Sequence, residues 1–345
     1  MSKKTVLADV SAAAGVSIAT VDRVLNGRGG VGPDKERRVL HWAKKLKLDR
    51  NLERRPTRIV RIGVVMQKPS NPFYEQLRRA FTKANIHYFG ANIQVAQFYF
   101  DVLAPRKTAD LLRRIAKEQD ALIVILQDHP FITSALQDIT PLVPVVTLAS
   151  DLPLSGRSGY VGLDNRAAGR VAGELMGRFV GTAGGGIAVV SGLQRFVGQG
   201  EREMGFRSVL AERYPQCGLV AVVETREQPE RAEELVRDVL ERNPGVVGIY
   251  NVSSGDQGIA NALRRFGLES KVVFITHELT PDRKGLLQKG VVDAVIDQNP
   301  ELEAMTAMEL IAKMFGRSEA VGINKTTPIN IYIRENCEGQ RSETS

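Results

Sequence analysis

The side chains that usually carry covalent or metal chemistry are few in this chain and badly spaced for it. Its four histidines, His41, His87, His129 and His277, show neither metal-ligand nor triad spacing. Cys217 and Cys337 are far apart, also lack ligand spacing, and suit a reducing compartment. The glycine-rich GTAGGGIAVV (181–190) precedes an apolar run instead of joining a strand to a helix, so it fails as a dinucleotide fingerprint. There is no Gly-Lys-Ser/Thr phosphate loop. Neither an enzymatic reaction nor a metal or cofactor is therefore expected. The chemistry on offer is ionic. Residues 1–61 hold 15 Lys/Arg against 6 Asp/Glu, a balance of +9, whereas the remaining 32 basic and 33 acidic residues stand at −1. A small basic module on a neutral body suits attraction to phosphates, because affinity for DNA grows with each phosphate neutralised. A solvated basic tail would lack the apolar periodicity that this module has.

That periodicity defines the elements that must hold the cations. In VLADVSAAAGVSIATVDRVLNG (6–27), Val6, Leu7, Val10, Ala13 and Ala14 recur at helical spacing. Gly15 permits a left-handed turn, Val16 packs inward, and Ser17 caps a second helix whose buried stripe is Val21, Val24 and Leu25. A third helix runs from Pro33 through Val39, Leu40, Trp42, Ala43 and Leu46. Three short helices around one small core make a helix-turn-helix head, whose second helix enters the major groove N-terminus first.

This opening resembles the DNA-binding head of the lactose/galactose-repressor (LacI) family, at Leu7, Asp9-Val10, Ala14-Gly15-Val16-Ser17, Thr20-Val21 and Arg23-Val24-Leu25-Asn26. The resemblance implies that Ile18, Ala19 and Arg23 face base edges, Arg23 as donor to a guanine. It also implies that Leu7, Ser17, Thr20 and Asn26 lie in the DNA-contacting surface and that Val31 and Gly32 present backbone amides to phosphates. Asp22 stands where the family usually has serine, and either pairs with a base or holds Arg23. Ile18 and Ala19 read thymine methyls or groove shape, or else fill space. In the linker LKLDRNLERRPTRIVRIGVVM, Thr57 stands where many members place a leucine that wedges into the minor groove. Pro56 before it disfavours a helix at Arg55. Arg54 and Arg55 remain candidates for phosphates or a narrow minor groove, with a plain exposed linker as the alternative.

From Arg61 onward, apolar runs alternate with amphipathic helices: 61–66, 92–98, 121–126, 144–149, 186–191, 246–251, 271–276 and 292–297 read as strands. Such alternation implies parallel sheets covered on both faces. The length exceeds one compact sheet and the pattern restarts near Tyr160–Asn165, so two doubly wound lobes facing a cleft are expected. The expected domains are a head at 1–49, a basic hinge at 50–60, a first lobe at 61–162 plus 292–330, a second lobe at 163–291, and a tail at 331–345.

The body resembles the periplasmic sugar-binding proteins, whose core the LacI family shares. NPFYEQLRRAF matches an N-P-F-F element, making Asn71 a hydroxyl partner, Phe73 a flat apolar face and Tyr74 a neighbour in the site. EREMGF matches R-x-x-G-F and nominates Arg202. The same resemblance nominates Asn251, Ser253 and Asp256 after YNVSSG, His277 and Glu278 in THE, and Gln298 in DQNP. Where many sugar binders carry Asp-Arg, this chain has Ala149-Ser150 followed by Asp151, so an arginine clamp is lost. Gln127 and Asp128 are the candidates to replace it. The chain is thus expected to be a cytoplasmic, homodimeric, effector-responsive regulator, a repressor, that binds a near-palindromic duplex operator and senses a sugar, polyol or sugar acid. The alternative is a DNA-binding regulator with no small-molecule effector.

Overall fold

The computed structural model describes residues 5–26, 30–46, 48, 58–319 and 326–337. The chain divides into a helical head and a larger α/β core.

The head comprises α1 (Leu7–Ala14), α2 (Ile18–Asn26) and α3 (Pro33–Lys45). Gly15 ends α1 at φ 63°, a left-handed conformation that a side chain would disfavour. The Ser17 hydroxyl accepts from the Thr20 amide at 3.1 Å, starting α2 one residue later. Val10, Ala14, Val21, Val24, Leu25, Val39, Ala43 and Leu48 form one closed core. Burial of each Val or Leu contributes about 1.5–3 kcal/mol, which is how so short a segment holds together.

The core contains two sheets. In the first, β1 (Val60–Gln67), β2 (Ile93–Phe100), β3 (Ala121–Val124), β4 (Val145–Leu148) and β5 (Gly159–Val161) lie in the order β2-β1-β3-β4-β5. In the second, β6 (Gly185–Ser191), β7 (Cys217–Glu224), β8 (Val246–Asn251), β9 (Val273–His277), β10 (Ala294–Asp297) and β11 (Asn330–Tyr332) lie in the order β11-β10-β9-β8-β6-β7. β11 runs antiparallel to β10, while β9 and β10 are parallel.

Nine helices cover these sheets among the described residues. They are α4 (Pro72–His87), α5 (Pro105–Ile115), α6 (Pro130–Ile139), α7 (Asn165–Val180), α8 (Val197–Arg213), α9 (Ala232–Arg242), α10 (Asp256–Arg265), α11 (Pro281–Lys289) and α12 (Pro300–Met314). α5 and α6 bury Leu112, Ile115, Ile132 and Leu136 against one face of the first sheet. α12 returns late in the chain to pack on α4 and β4. The second sheet is covered by α7 and α8 on one face, through Ala168, Met176, Phe206 and Leu210. α9, α10 and α11 cover the other, through Val236, Leu240, Ile259, Leu263, Leu286 and Leu287.

Two expected boundaries are corrected. The run 292–297 does not belong to the first lobe, because Ala294–Ile296 pairs with Ile275–His277 in the second sheet. Once α11 has crossed over, the next apolar run docks beside its predecessor. The chain therefore changes lobe at 298–299, and only α12 goes back. Nor is 331–337 a tail: β11 extends the second sheet and Cys337 is buried in its core. The other crossings lie side by side at Gly162 and Thr326, where the Thr327 amide donates to the Gly162 carbonyl at 3.0 Å.

Candidate functional site

On the head, Ser17, Ile18, Ala19 and Arg23 are exposed, and Thr20 and Asp22 half-buried. Ala19 and Arg23, four residues apart, share one face of α2, and Ile18 stands at its first position. With 52% of its surface in solvent, Ile18 does not fill core space, nor does Ala19. An exposed isoleucine that starts the second helix suits a thymine methyl, and an exposed arginine on the next turn suits a guanine edge. The side chains of Leu7 and Val31 pack against the head core. Gly32 is exposed and its carbonyl accepts from the Lys35 and Glu36 amides, starting α3. The side chain of Asn26, and Arg54 and Arg55 entirely, lie outside the described residues.

The core carries a cleft between its lobes with about 490 Å³ of atom-free space, part of it open to solvent. The carboxyl ends of the strands supply its walls, as expected for doubly wound sheets. The first lobe contributes Asn71, Phe73, Tyr74, Ala149 and Ser150, and the second contributes Phe196, Gln199, Arg202, Glu227, Ser253, Glu278, Arg283 and Gln298. Asn71 uses its side-chain oxygen to accept from the Phe73 amide at 3.0 Å, which starts α4 and leaves the amide nitrogen as a donor.

Arg202 is held at the base of the cleft by a glycine stripe. Gly169, Gly173 and Gly177 share one face of α7 and let α8 come close. A β-carbon on Gly169 would lie 1.9 Å from the Arg202 carbonyl oxygen, and one on Gly205 would lie 2.1 Å from that of Arg166. From this fixed position the buried guanidinium donates to Asn165 Oδ1 at 2.8 Å, the Val252 carbonyl at 3.2 Å, Glu278 Oε1 at 3.0 Å and Gln298 Oε1 at 3.3 Å.

Arg283, which the sequence reading missed, is the second buried guanidinium. It sits in the first turn of α11, where the helix dipole disfavours a cation. Asp256 compensates, accepting from its Nε at 2.7 Å, and the Ser253 carbonyl accepts at 2.6 Å. A contact of 3.4 Å to Glu278 Oε2 adds to these. That need for carboxylates was the one sequence signal that could have found it.

Gln199 Nε2 and Ser253 Oγ donate to Glu227 Oε1 at 2.6 and 3.2 Å. Burial pushes the Glu227 and Glu278 carboxyls up from their ordinary values. Ala149, Arg226, Glu227, Glu278 and Asn299 all adopt left-handed φ between 57° and 60° at strand ends. This conformation costs non-glycine residues about 1–2 kcal/mol each, and such strain tends to gather at functional sites.

Other nominated residues are placed elsewhere. His277 is fully buried and outside the cleft lining, with its Nε2 2.6 Å from the Tyr250 hydroxyl; burial holds its pKa well below the ordinary value. Strand alternation puts it on the α7/α8 face with Ile275, and the turn at Glu278 sends the next residue into the cleft. Asn251 and Asp256 stand one layer behind: Asn251 Nδ2 donates to Asp256 Oδ1 at 2.9 Å, and Asp256 holds Arg283. Asp151 is occupied by Arg157, the Thr147 hydroxyl and the Leu152 amide. Asp128 is exposed and accepts from Thr133, while Gln127 donates to the Val102 carbonyl. Neither replaces the lost arginine; Arg283 occupies the cleft instead.

Hydrogen bonds bridge the lobes around the cleft. Gly198 N donates to Ser150 Oγ at 3.2 Å, Asp128 N to the Arg195 carbonyl at 2.7 Å, and Gln76 Nε2 to the Leu279 carbonyl at 3.0 Å. Near the crossings, the Glu303 carboxyl in the first turn of α12 is fully buried and forms no ion pair among the described residues, and burial pushes it well up.

Comparison with known proteins agrees with both parts. Residues 62–318 match the family described as "Periplasmic binding protein domain", and residues 6–51 match "Bacterial regulatory proteins, lacI family". The chain is 26% identical over 255 residues to the HTH-type transcriptional regulator DegA of Bacillus subtilis (strain 168), covering 72% of this chain and 73% of that protein. It is 28% identical over 265 residues to a ribose operon repressor of Halalkalibacterium halodurans, covering 75% and 74%. Among solved structures, GanP, a glucose-galactose binding protein from Geobacillus stearothermophilus, superimposes with a TM-score of 0.72 at 23% identity, over 81% of this chain and 99% of that one.

Proposed function

Since this chain belongs to the lacI family of bacterial regulatory proteins and is an effector-responsive DNA-binding regulator, we propose that it represses a carbohydrate or polyol utilisation operon from the cytoplasm. Two copies bind a near-palindromic operator, with Arg23, Ile18 and Ala19 at base edges and Ser17 and Thr20 at phosphates. A small polyhydroxy compound in the cleft touches Asn71, Phe73, Arg202 and Gln298. The observation that carries the sensor reading is Arg202, a buried guanidinium fixed between the lobe crossing at Asn165 and the strand ends at Glu278 and Gln298. Any occupant that prefers one lobe arrangement shifts this network, and only such differential binding can alter operator affinity. The ribose operon repressor among the relatives supports a sugar as the occupant. The exposed edge strand of the second sheet, with Val220 and Val222 outward, supports self-association.

The test joins two measurements. Operator fragments are selected from a randomised duplex pool, and bound fragment is then followed by fluorescence anisotropy during titration with sugars. The expected result is an enriched two-fold symmetric sequence and a sugar that changes its affinity at least about fivefold. A pool without enrichment refutes the DNA reading; an operator that no sugar or polyol modulates leaves the effector-free alternative.

A further inference from the structure

The charges lining the cleft are unequally matched. Of the five N–H groups of Arg202, four are committed to Asn165, Val252, Glu278 and Gln298. Arg283 is turned to Asp256, Ser253 and both the backbone and carboxyl of Glu278. The two guanidiniums are therefore committed to Asp256, Glu278 and neutral acceptors, with one Arg202 N–H left over among the described residues. Glu227 is left over. It lines the cleft, and among the described residues it forms no ion pair; its partners are the neutral donors Gln199 and Ser253, with Gln67 as a third. A carboxylate accepts hydrogen bonds and donates none, so Glu227 presents the cleft with lone pairs and negative charge.

An anionic occupant would meet one free guanidinium N–H and an uncompensated like charge. A neutral polyol can instead offer hydroxyl hydrogens to the vacant lone pairs of Glu227 and its own oxygens to Asn71 Nδ2 and Arg202. We infer that the cleft selects its effector by charge, accepting an uncharged polyhydroxy compound and rejecting sugar acids and sugar phosphates, and that Glu227 is the residue that sets this preference. The inference rests on the sensor reading and narrows it. Burial already pushes the Glu227 carboxyl up, and a second negative charge nearby adds to that cost.

The intact protein is titrated calorimetrically with D-ribose, D-allose and D-galactose, and with ribose 5-phosphate, D-galacturonate and the isosteric, uncharged D-galacturonamide. The wild type is expected to bind its best neutral member at least about a hundredfold more tightly than the charged counterpart, since like charges brought together cost several kcal/mol. Glu227→Gln, checked for a cooperative melt by circular dichroism, is expected to narrow that gap by about tenfold, chiefly through better anion binding. An acid or phosphate bound as tightly as its neutral counterpart by wild type overturns the charge selection while leaving a sugar sensor. A gap unchanged in Glu227→Gln removes Glu227 from the explanation. Should none of the six compounds bind, the sugar reading and this inference fall together. The wild-type comparison needs no variant, so a poorly folding substitution does not blunt it.

Discussion

Replacing Arg202 with methionine would separate a structural linchpin from a merely decorative cation. Methionine keeps the stem of the side chain but removes donors to Asn165, Val252, Glu278 and Gln298. Glu278 then retains one cation, Arg283 at 3.4 Å from Oε2, and the neutral donor Gln298 Nε2 at 2.9 Å from Oε1. Breaking one side of a buried ion pair costs about 3–5 kcal/mol. For a domain of this size each kcal/mol moves Tm by about 2–4 °C, so the core transition is expected to fall by roughly 6–20 °C. The deficit should also depend on pH in a fixed direction. The folded Glu278 carboxyl is already raised by burial, and loss of Arg202 raises it further. A carboxyl raised on folding adds stability that is complete below its unfolded value of about 4.3 and disappears as pH rises through its folded value. The variant should therefore recover part of its lost stability at pH 5 relative to pH 8. Differential scanning calorimetry of the full chain at both pH values reads the effect. A loss of less than about 2 °C at pH 8, below what 1 kcal/mol would give, or a deficit identical at the two pH values, would refute the argument that Arg202 holds a buried carboxylate.

Three further outcomes are expected. Arg23→Ala should weaken operator binding by about 1–3 kcal/mol and relax one base position; an unchanged footprint and affinity would show that this face of α2 does not enter the groove. Gly169→Ala should destabilise the core by about 1–3 kcal/mol or more, because its methyl must displace the Arg202 backbone, and should weaken effector binding with it. A wild-type denaturant midpoint would mean that the α7–α8 approach is not tight. Glu303→Gln should stabilise the core increasingly as pH rises, since the buried carboxyl is held well above its ordinary value and its ionisation opposes folding; a stability difference that stays flat between pH 5.5 and 8.5 contradicts this.

The head was readable because its information is local. The i, i+3, i+4 apolar stripe, Gly15 and Ser17 lie within about twenty residues of one another, and each has one physical meaning. The central strands were equally plain as apolar runs. What escaped was at the edges. β7 alternates buried and exposed along Cys217–Glu224, and β5 and β11 are three residues each, too short for a periodic signal. With β7 unread, Glu227 had no strand end to stand on. His277 and Glu278 differ by one position, and only the left-handed turn at Glu278 decides which of them reaches the cleft. Arg283 makes sense only after Asp256, twenty-seven residues earlier, is seen folded against it. Likewise 292–297 carries no mark of its lobe; its partner strand settles that.

The late return of α12 has a consequence for how the protein is made. The head closes its core with Leu48, whereas the face of the first sheet beside α4 waits for α12, which starts to leave the ribosome some 250 residues later. At about 5–20 residues per second that interval is roughly ten seconds to a minute. During it, every nascent chain carries a finished reading head in front of a half-built receptor, and contacts between residues so distant in sequence are slow to form. The head can thus close its own core well before the larger part of the chain is able to close the other.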